Sequence, residues 1–356
     1  MWAARHNFGW DVFVMSDNSF KSKARRHQKS TGTSYMRARR ELDRRGDTGE
    51  AGDVPALADA AQMLSVLGLG EASVLDIAAL WAARDLPVGT DERVNLGPLL
   101  RVPLGLGADG VPVWLDLKES ADEGAGPHVL QVGKTGSGKS TVLRSMLAGL
   151  CAQHSPDLLQ LVLVEAKSGE FEDFAGYPHT AAMLGPAAVM GPDDCGVALI
   201  ELREERARAL AAAGVAHIRH YRELRASAEG ADLPSLPTVM VVVDEFPELQ
   251  RSVAGCADVL DTLLRTGRSL GIHVVAVGQR GAGGSLINSR IVLRTLTAED
   301  SHQVLGNADA HELPTGVGMY SPEPGAQAER FRGFLVPNDL IRDLGRRFAA
   351  AAAGPE

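Results

Sequence analysis

Residues 133–141 have the composition of a phosphate-binding loop. They read GKTGSGKST, and the first eight fit the pattern G-x-x-x-x-G-K-[ST] in full. The loop follows a short apolar run at Val129–Val132 and leads into a segment with helical periodicity at residues 140–152. The pattern requires this strand–loop–helix context, which disfavours the alternative of a glycine-rich turn without a ligand. The predicted nucleotide-binding residues are Gly133, Lys134, Thr135, Gly136, Ser137, Gly138, Lys139, Ser140 and Thr141.

The residue types in this loop suit a nucleoside triphosphate with its metal ion. Gly133, Gly136 and Gly138 let the backbone wrap closely, so that its N–H groups and the helix N-terminus point at phosphate oxygens. Lys139 is expected to reach the β- and γ-phosphates, and the Ser140 hydroxyl is expected to ligate Mg²⁺.

A pair of carboxylates, Asp244 and Glu245, follows the apolar run at residues 239–243. Ligands of an open α/β sheet bind at the carboxyl ends of its strands, so this pair should face the loop. We expect Asp244 to hold Mg²⁺ through its waters and Glu245 to polarise the attacking water as general base. An acidic pair that only caps a buried strand is the alternative, which the loop at residues 133–141 disfavours. Because both carboxylates are present, we expect hydrolysis and not binding alone.

A third polar position, Gln279, follows the apolar run at residues 273–277 and precedes Arg280. There it would lie between the phosphate loop and the carboxylate pair, where an amide can sense the γ-phosphate. A solvated glutamine at a strand end is the common alternative. The sequence contains no N-K-x-D motif for guanine, which favours ATP over GTP.

The predicted strands that position these residues are apolar at nearly every position, whereas a half-buried strand would alternate apolar and polar residues. Such runs suit a parallel sheet whose strands are buried on both faces. Helical segments separate them, so the predicted fold is α/β, with a largely parallel central sheet flanked by helices. The predicted strands lie at residues 129–132, 158–164, 239–243 and 273–277, and the predicted helices at residues 140–152, 197–213 and 257–270.

An N-terminal helical, basic extension at residues 1–50 precedes this region. Its stretch from Lys21 to Arg45 contains ten lysines and arginines and few acids. It would either contact nucleic acid or another acidic partner, or form a solvated helical hairpin. The chain is predicted to divide into four segments: the extension at residues 1–50, a connecting region at 51–125, the nucleotide-binding domain at 126–345 and a disordered tail at 346–356. The connecting region is predicted to contain a linker, helices at 57–67 and 74–84, and a hairpin at 100–117.

Composition indicates a folded cytoplasmic protein. Hydrophobic residues make up 45% of the chain and charged residues 23%, which is the balance of a globular domain. The three cysteines form no CxxC pair, so neither a zinc site nor a disulfide framework is expected. No run approaches the roughly 18 to 20 apolar residues of a membrane helix, and the N-terminus does not resemble a signal peptide, although docking on a membrane-embedded partner stays open. A net charge of −9 argues against a globally basic nucleic-acid binder.

These motifs, in this order, resemble the FtsK/SpoIIIE superfamily of ring-forming translocases, and in particular the ATPase modules of EccC, the motor of type VII secretion. The resemblance extends well beyond the phosphate loop and covers roughly residues 60 to 337. The segments that carry it are LRVPLGLGADGVPVWLDLKES, GPHVLQVGKTGSGKSTVLRSMLAGL, HSPDLLQLVLVEAKSG, LPTVMVVVDEFPELQ, RTGRSLGIHVVAVGQR and SRIVLRTLTAEDSHQVLG.

The resemblance implies a RecA-like motor that works as a hexamer or stacked ring, or by co-assembly with other motor modules, with ATP bound between subunits. It also implies an arginine that stabilises transition-state charge from the adjacent subunit. The family's position for it matches Arg290, with Arg294 nearby, while a surface arginine on a strand edge is the alternative. Two departures stand out. Residues 165–169 read EAKSG where EccC modules usually show DFKGG, which puts a coupling role there in doubt, and the chain has one module where EccC has several.

Three functions remain open at this stage. A protein-secretion ATPase is favoured by the resemblance to EccC. A DNA translocase of the FtsK/SpoIIIE type, acting on duplex DNA, is supported by the basic stretch at residues 21–45. A nucleotide-gated assembly or regulatory module that hydrolyses slowly is disfavoured by Asp244 and Glu245.

Overall fold

The computed structural model describes residues 53–69, 76–119, 122, 124–165, 169–185, 194–252, 256–281 and 286–354. The basic extension predicted at residues 1–50 lies outside them. The chain divides into two compact units, Met1–Ala58 and Asp59–Glu356. Except for the start of the first helix, all elements below belong to the second unit.

The described residues form nine α-helices, two short 3-10 helices and ten strands. The α-helices are α1 (Asp53–Val66), α2 (Ile77–Ala82), α3 (Lys139–Gln153), α4 (Asp194–Ala212), α5 (Ile218–Ala226), α6 (Phe246–Ser252), α7 (Cys256–Leu270), α8 (Ala298–Leu305) and α9 (Asn338–Ala353). The strands are β1 (Arg101–Leu106), β2 (Pro112–Asp116), β3 (Val129–Val132), β4 (Leu159–Val164), β5 (Thr180–Leu184), β6 (Thr238–Val243), β7 (Ile272–Gly278), β8 (Ser289–Leu293), β9 (Val317–Ser321) and β10 (Glu329–Gly333). No helix among them is long and apolar enough to cross a bilayer.

All ten described strands join one sheet, in the order β2-β1-β10-β9-β8-β3-β7-β6-β4-β5. The six strands from β8 to β5 pair in parallel, whereas β9, β10, β1 and β2 pair antiparallel. The predicted fold class, α/β with a largely parallel sheet, is confirmed. Because the parallel connections reverse direction along the sheet, the right-handed crossover rule predicts α3 on one face and α4, α5 and α7 on the other.

The apolar runs predicted as strands are the buried centre of this sheet. Every residue of β3, β6 and β7 is buried, so these strands have no solvent face. The predicted hairpin is also present, with β1 paired to β2 and Gly110 at φ 79° in its turn. β1 pairs with β10 as well, so this hairpin extends the central sheet although the sequence placed it before the nucleotide-binding domain.

The end of the chain differs from the disordered tail predicted at residues 346–356, because α9 continues to Ala353. Ile341, Leu344 and Phe348 lie on one stripe of α9 and are buried. The Phe348 ring packs 5.2 Å from Tyr177 and 5.8 Å from Trp81, between ring centroids. Composition alone suggested fraying, but this apolar stripe holds the helix on the core.

Two buried histidines link backbone segments across the core. His128 accepts a hydrogen bond from the Val274 N–H at 3.0 Å, and its Nε2 lies 3.0 Å from the Leu264 carbonyl in the middle of α7. His154 accepts from the Leu100 N–H at 3.0 Å and donates to the Leu150 carbonyl at 2.7 Å. Each ring is therefore held as a neutral tautomer with one donor and one acceptor. Burial lowers the pKa of both histidines to about 4.

These histidines predict a loss of stability in mild acid. Their folded-state pKa lies below the ordinary value of 6.5, so the unfolded chain binds protons first as the pH falls. The free energy of unfolding should decline between about pH 6.5 and pH 4, by up to about 3 kcal/mol for each ring. Urea unfolding across this range measures the decline.

The matched variants are His128→Gln and His154→Gln, with the exposed His302→Gln as control. Either buried variant should flatten the dependence on pH, whereas the control should not. An unchanged slope in both buried variants would show that these rings do not set the acid sensitivity.

Candidate functional site

The loop at residues 133–141 joins β3 to α3 and forms a cradle of backbone N–H groups. Gly136 and Gly138 have φ of 77° and 100°, which L side chains rarely adopt. Gly138 is also crowded, since a Cβ there would lie 3.0 Å from the Gly316 nitrogen. Among the described residues, no side chain caps the start of α3 and no acid lies in its first turn. The first amides of the helix are therefore available to an anion.

Lys139 lies inside this loop. Its Nζ donates hydrogen bonds to the Gly133 carbonyl at 2.6 Å and to the Lys134 carbonyl at 3.3 Å. Burial lowers the pKa of Lys139, and the charges of Glu245 and Asp244 oppose that shift. The lysine is thus partly desolvated and within the electrostatic reach of both predicted carboxylates.

Gln131 is part of the site, although the sequence analysis did not single it out. It is fully buried in β3, and its Nε2 donates to the Lys139 carbonyl at 2.9 Å, which fixes the first turn of α3 against the strand. A polar residue in an otherwise apolar strand just before the loop was the available signal.

Asp244 stands at the carboxyl end of β6, as predicted. Its N–H donates to the Val164 carbonyl at 2.9 Å, so the neighbouring strand β4 fixes the backbone there. The pKa of Asp244 is raised to about 6, chiefly by burial and then by the charges of Glu170 and Glu245, while Lys139 opposes the shift. A cation beside this carboxylate would therefore offset a substantial electrostatic cost.

Glu245 has an unusual backbone conformation for a residue that is not glycine, with φ of 50°. Its carbonyl accepts from the Glu248 and Leu249 N–H groups at 2.7 and 3.1 Å, so α6 begins immediately after it. Strain of this kind costs of order 1–3 kcal/mol and is typical of functional positions. The Gln279 Nε2 donates to Glu245 Oε1 at 3.1 Å, which sets the direction of the carboxylate.

The strand between the loop and the carboxylates connects them. β7 lies between β3 and β6, and its Gly278 carbonyl accepts from the Gly133 N–H at 3.2 Å. The next residue, Gln279, reaches Glu245. The structure therefore brings together the loop, Lys139, Asp244, Glu245 and Gln279 at one edge of the sheet, while their catalytic roles remain predictions.

Arg290 lies elsewhere. It pairs with Leu130 in β3, three residues before the loop begins, and its Nη1 donates to the Val304 carbonyl at 2.5 Å. A role of Arg290 toward a neighbouring subunit remains a prediction.

Arg294 lies closer to the loop than Arg290 does. Its carbonyl accepts from the Lys134 N–H at 2.8 Å, and its Nη2 is 3.5 Å from Thr315 Oγ1. Thr315 in turn donates to the Gly136 carbonyl at 3.2 Å. The segment before β9 therefore contacts the phosphate loop through Thr315, and no sequence motif predicted this contact.

The donor set at this edge fits Mg²⁺ with a nucleotide. Ser140 presents an accessible hydroxyl in the first turn of α3, and Asp244 adds a carboxylate. Both are the hard oxygen ligands that Mg²⁺ prefers, and the ion usually keeps several waters. Among the described residues, Ser137 Oγ and Glu170 Oε1 are buried and have no hydrogen-bond partner, so further oxygen atoms remain available at the site.

Comparison with known proteins identifies relatives of this arrangement. The sequence model of the FtsK/SpoIIIE family matches residues 94–282. The ESX-4 secretion system protein EccC4 of Mycobacterium tuberculosis is 38% identical over 288 residues, which are 78% of this chain and 22% of that protein. The chain thus spans about a fifth of the length of this relative.

Solved structures share the fold. The cytoplasmic domain of the type VII secretion ATPase EccC from Thermomonospora curvata has a TM-score of 0.71 at 35% identity, covering 80% of this chain and 34% of that one. ATPases 2 and 3 of EccC from the same organism, in complex with a signal sequence peptide, have a TM-score of 0.61 at 22% identity, covering 76% and 51%. With a family model matching more than half of its length and with its loop and carboxylates at one sheet edge, this chain belongs to the FtsK/SpoIIIE family.

Proposed function

We propose that this chain is a motor module of the EccC type, which binds ATP with Mg²⁺, hydrolyses it to ADP and phosphate, and couples hydrolysis to movement of a protein substrate. The hydrogen bond of 3.1 Å between Gln279 and Glu245, beside the phosphate loop, is the observation that carries this proposal. It orients a carboxylate where hydrolysis needs a base, and a site that only bound nucleotide would not require it.

Binding would use the loop and its lysine. The uncapped N–H groups at the start of α3 would hold phosphate oxygens, and Lys139 would exchange its carbonyl partners for the β- and γ-phosphates. Ser140 and Asp244 would hold Mg²⁺, which supplies neutralisation of phosphate charge when bound.

Hydrolysis would use Glu245 and Gln279. Because Glu245 Oε1 already accepts from Gln279, Oε2 is free of that contact to accept a proton from the attacking water. Gln279 would hold the base in place and respond to the γ-phosphate. General base catalysis contributes typically 10²- to 10⁴-fold in rate.

Assembly would complete the site. We infer a cytoplasmic ring, a hexamer or a co-assembly with further motor modules, in which Arg290 of one subunit faces the ATP of the next. In that arrangement Arg290 would give up its contact with the Val304 carbonyl for the phosphate. An arginine supplied in this way contributes 10³- to 10⁵-fold in some nucleotide hydrolases.

The site residues predict two separable defects. Lys139→Ala should abolish binding of a fluorescent ATP analogue, because the cradle loses its charge. Glu245→Gln should bind the analogue with normal affinity and hydrolyse ATP at least about 100-fold more slowly, since only the base is lost. The exposed Glu299→Gln is the control and should behave as wild type. Normal turnover in Glu245→Gln would remove the proposed base.

Mixing variants tests the role of Arg290 between subunits. Arg290→Ala and Asp244→Asn should each be nearly inactive alone. If the arginine acts on the neighbouring subunit, mixed rings contain interfaces with both groups intact, and mixing should restore part of the ATPase rate. No recovery at any ratio, in rings shown to exchange subunits, would place Arg290 outside the reaction.

The substrate class is tested by stimulation of ATPase activity across a range of protein concentration. The proposal predicts a rate that rises with assembly and with a helical peptide carrying a type VII signal sequence, and that is unchanged by duplex DNA. Stimulation by DNA that disappears on deletion of residues 1–50 would instead support a DNA translocase.

A further inference from the structure

Another carboxylate, Glu170, follows β4 and interacts electrostatically with Lys139 and Asp244. Glu165, the first residue after β4, accepts hydrogen bonds from the Gly169 N–H at 3.0 Å and the Phe171 N–H at 2.7 Å. Glu170 lies between these two residues, and Phe171 is fully buried. The backbone on both sides of Glu170 is therefore fixed by one buried carboxylate.

Arg144 fixes Glu170 from the side of α3. Its Nη2 donates to the Glu170 carbonyl at 3.0 Å, and its Nη1 donates to Asn338 Oδ1 at 2.9 Å. Because Arg144 lies in the helix that begins with the phosphate loop, the position of Glu170 is tied to the position of that loop. These bonds use the backbone of Glu170 and not its carboxylate.

One carboxylate oxygen of Glu170 lacks a hydrogen-bond partner and has only a long ion pair with Arg144. Glu170 Oε1 is buried and, among the described residues, has no hydrogen-bond partner, and the nearest arginine nitrogen, on Arg144, is 4.0 Å away. Leaving a buried charged oxygen without a hydrogen bond costs at least about 1–3 kcal/mol. A fixed turn that holds such an atom at a ligand site indicates that the ligand supplies the missing donor.

Electrostatics link this carboxylate to the predicted site. Its charge raises the pKa of both Asp244 and Lys139, and it affects the pKa of Asp244 more strongly than does Glu245, the adjacent residue in sequence. Glu170, Asp244 and Lys139 thus share one partly desolvated region.

We propose that Glu170 is an outer-shell group of the metal–nucleotide site, whose carboxylate would accept a hydrogen bond from a water on the Mg²⁺ held by Ser140 and Asp244. The proposal rests on the proposed binding of a Mg²⁺–nucleotide. Mg²⁺ retains waters in such sites, and loss of an outer-shell partner of a metal typically costs 10- to 100-fold in affinity.

The alternative is that Glu170 only supports the turn. The turn, however, is held by the Glu165 side chain and by the Glu170 carbonyl, and both remain in Glu170→Gln. This variant therefore separates the carboxylate charge from the backbone geometry.

The test measures metal binding directly. Mn²⁺ affinity in the presence of ADP, followed by electron paramagnetic resonance, should fall 10- to 100-fold in Glu170→Gln. The affinity for ADP without metal should stay the same or rise, because a negative charge near the phosphates is removed. Glu170→Asp, which keeps a shorter carboxylate, should give an intermediate loss. The exposed neighbour Glu172→Gln is the matched control and should bind Mn²⁺ as wild type does.

The outcomes separate this proposal from the function on which it rests. Tight Mn²⁺–ADP binding by wild type that is unchanged within twofold in both Glu170 variants would overturn the role of Glu170 alone. Absence of nucleotide binding by wild type would overturn the proposed function and this role with it. Equal losses with and without metal would show that Glu170 supports the loop, and would also overturn the proposal.

Discussion

The site depends on the backbone N–H groups where α3 begins, which no side chain caps among the described residues. A helix start usually receives a side-chain cap or an acid in its first turn, and among the described residues this one has neither. Two glycines at positive φ shape the loop, and Gln131 fixes the first helical turn against β3 from within the core. The sheet, the buried helix and the loop therefore hold several backbone N–H donors towards one small region, where an anion would accept their hydrogen bonds.

A second constraint is the burial of charge beside these donors. Lys139, Asp244 and Glu170 lie close enough to influence one another, and desolvation disfavours the charged forms of Lys139 and Asp244. Glu245 adds a strained backbone. Such features reduce the stability of the fold. Burial of the apolar central strands on both of their faces offsets this loss. A bound triphosphate with its metal would satisfy the lysine and the carboxylates together.

The sequence predicted the parts of this arrangement that depend on local pattern. The loop, the Asp244–Glu245 pair and the central strands are each specified by short runs of residues next to one another in the chain. The sequence did not predict the roles of Gln131 and Glu170, because these roles arise from contacts with α3. The strand β10, Glu329–Gly333, has no apolar run and is defined by its pairing with β9 and β1. The last helix was missed because an alanine-rich tail hid the stripe that ends at Phe348.

The central claim is that the loop amides and the carboxylates act on one and the same triphosphate. A structure of the protein with Mg²⁺, ADP and aluminium fluoride tests it most directly. The account predicts the fluoride group between Lys139 and Glu245, with Mg²⁺ held by Ser140 and Asp244 and a water in contact with Glu245. Nucleotide bound away from the loop, or a fluoride group that touches neither carboxylate, would contradict it.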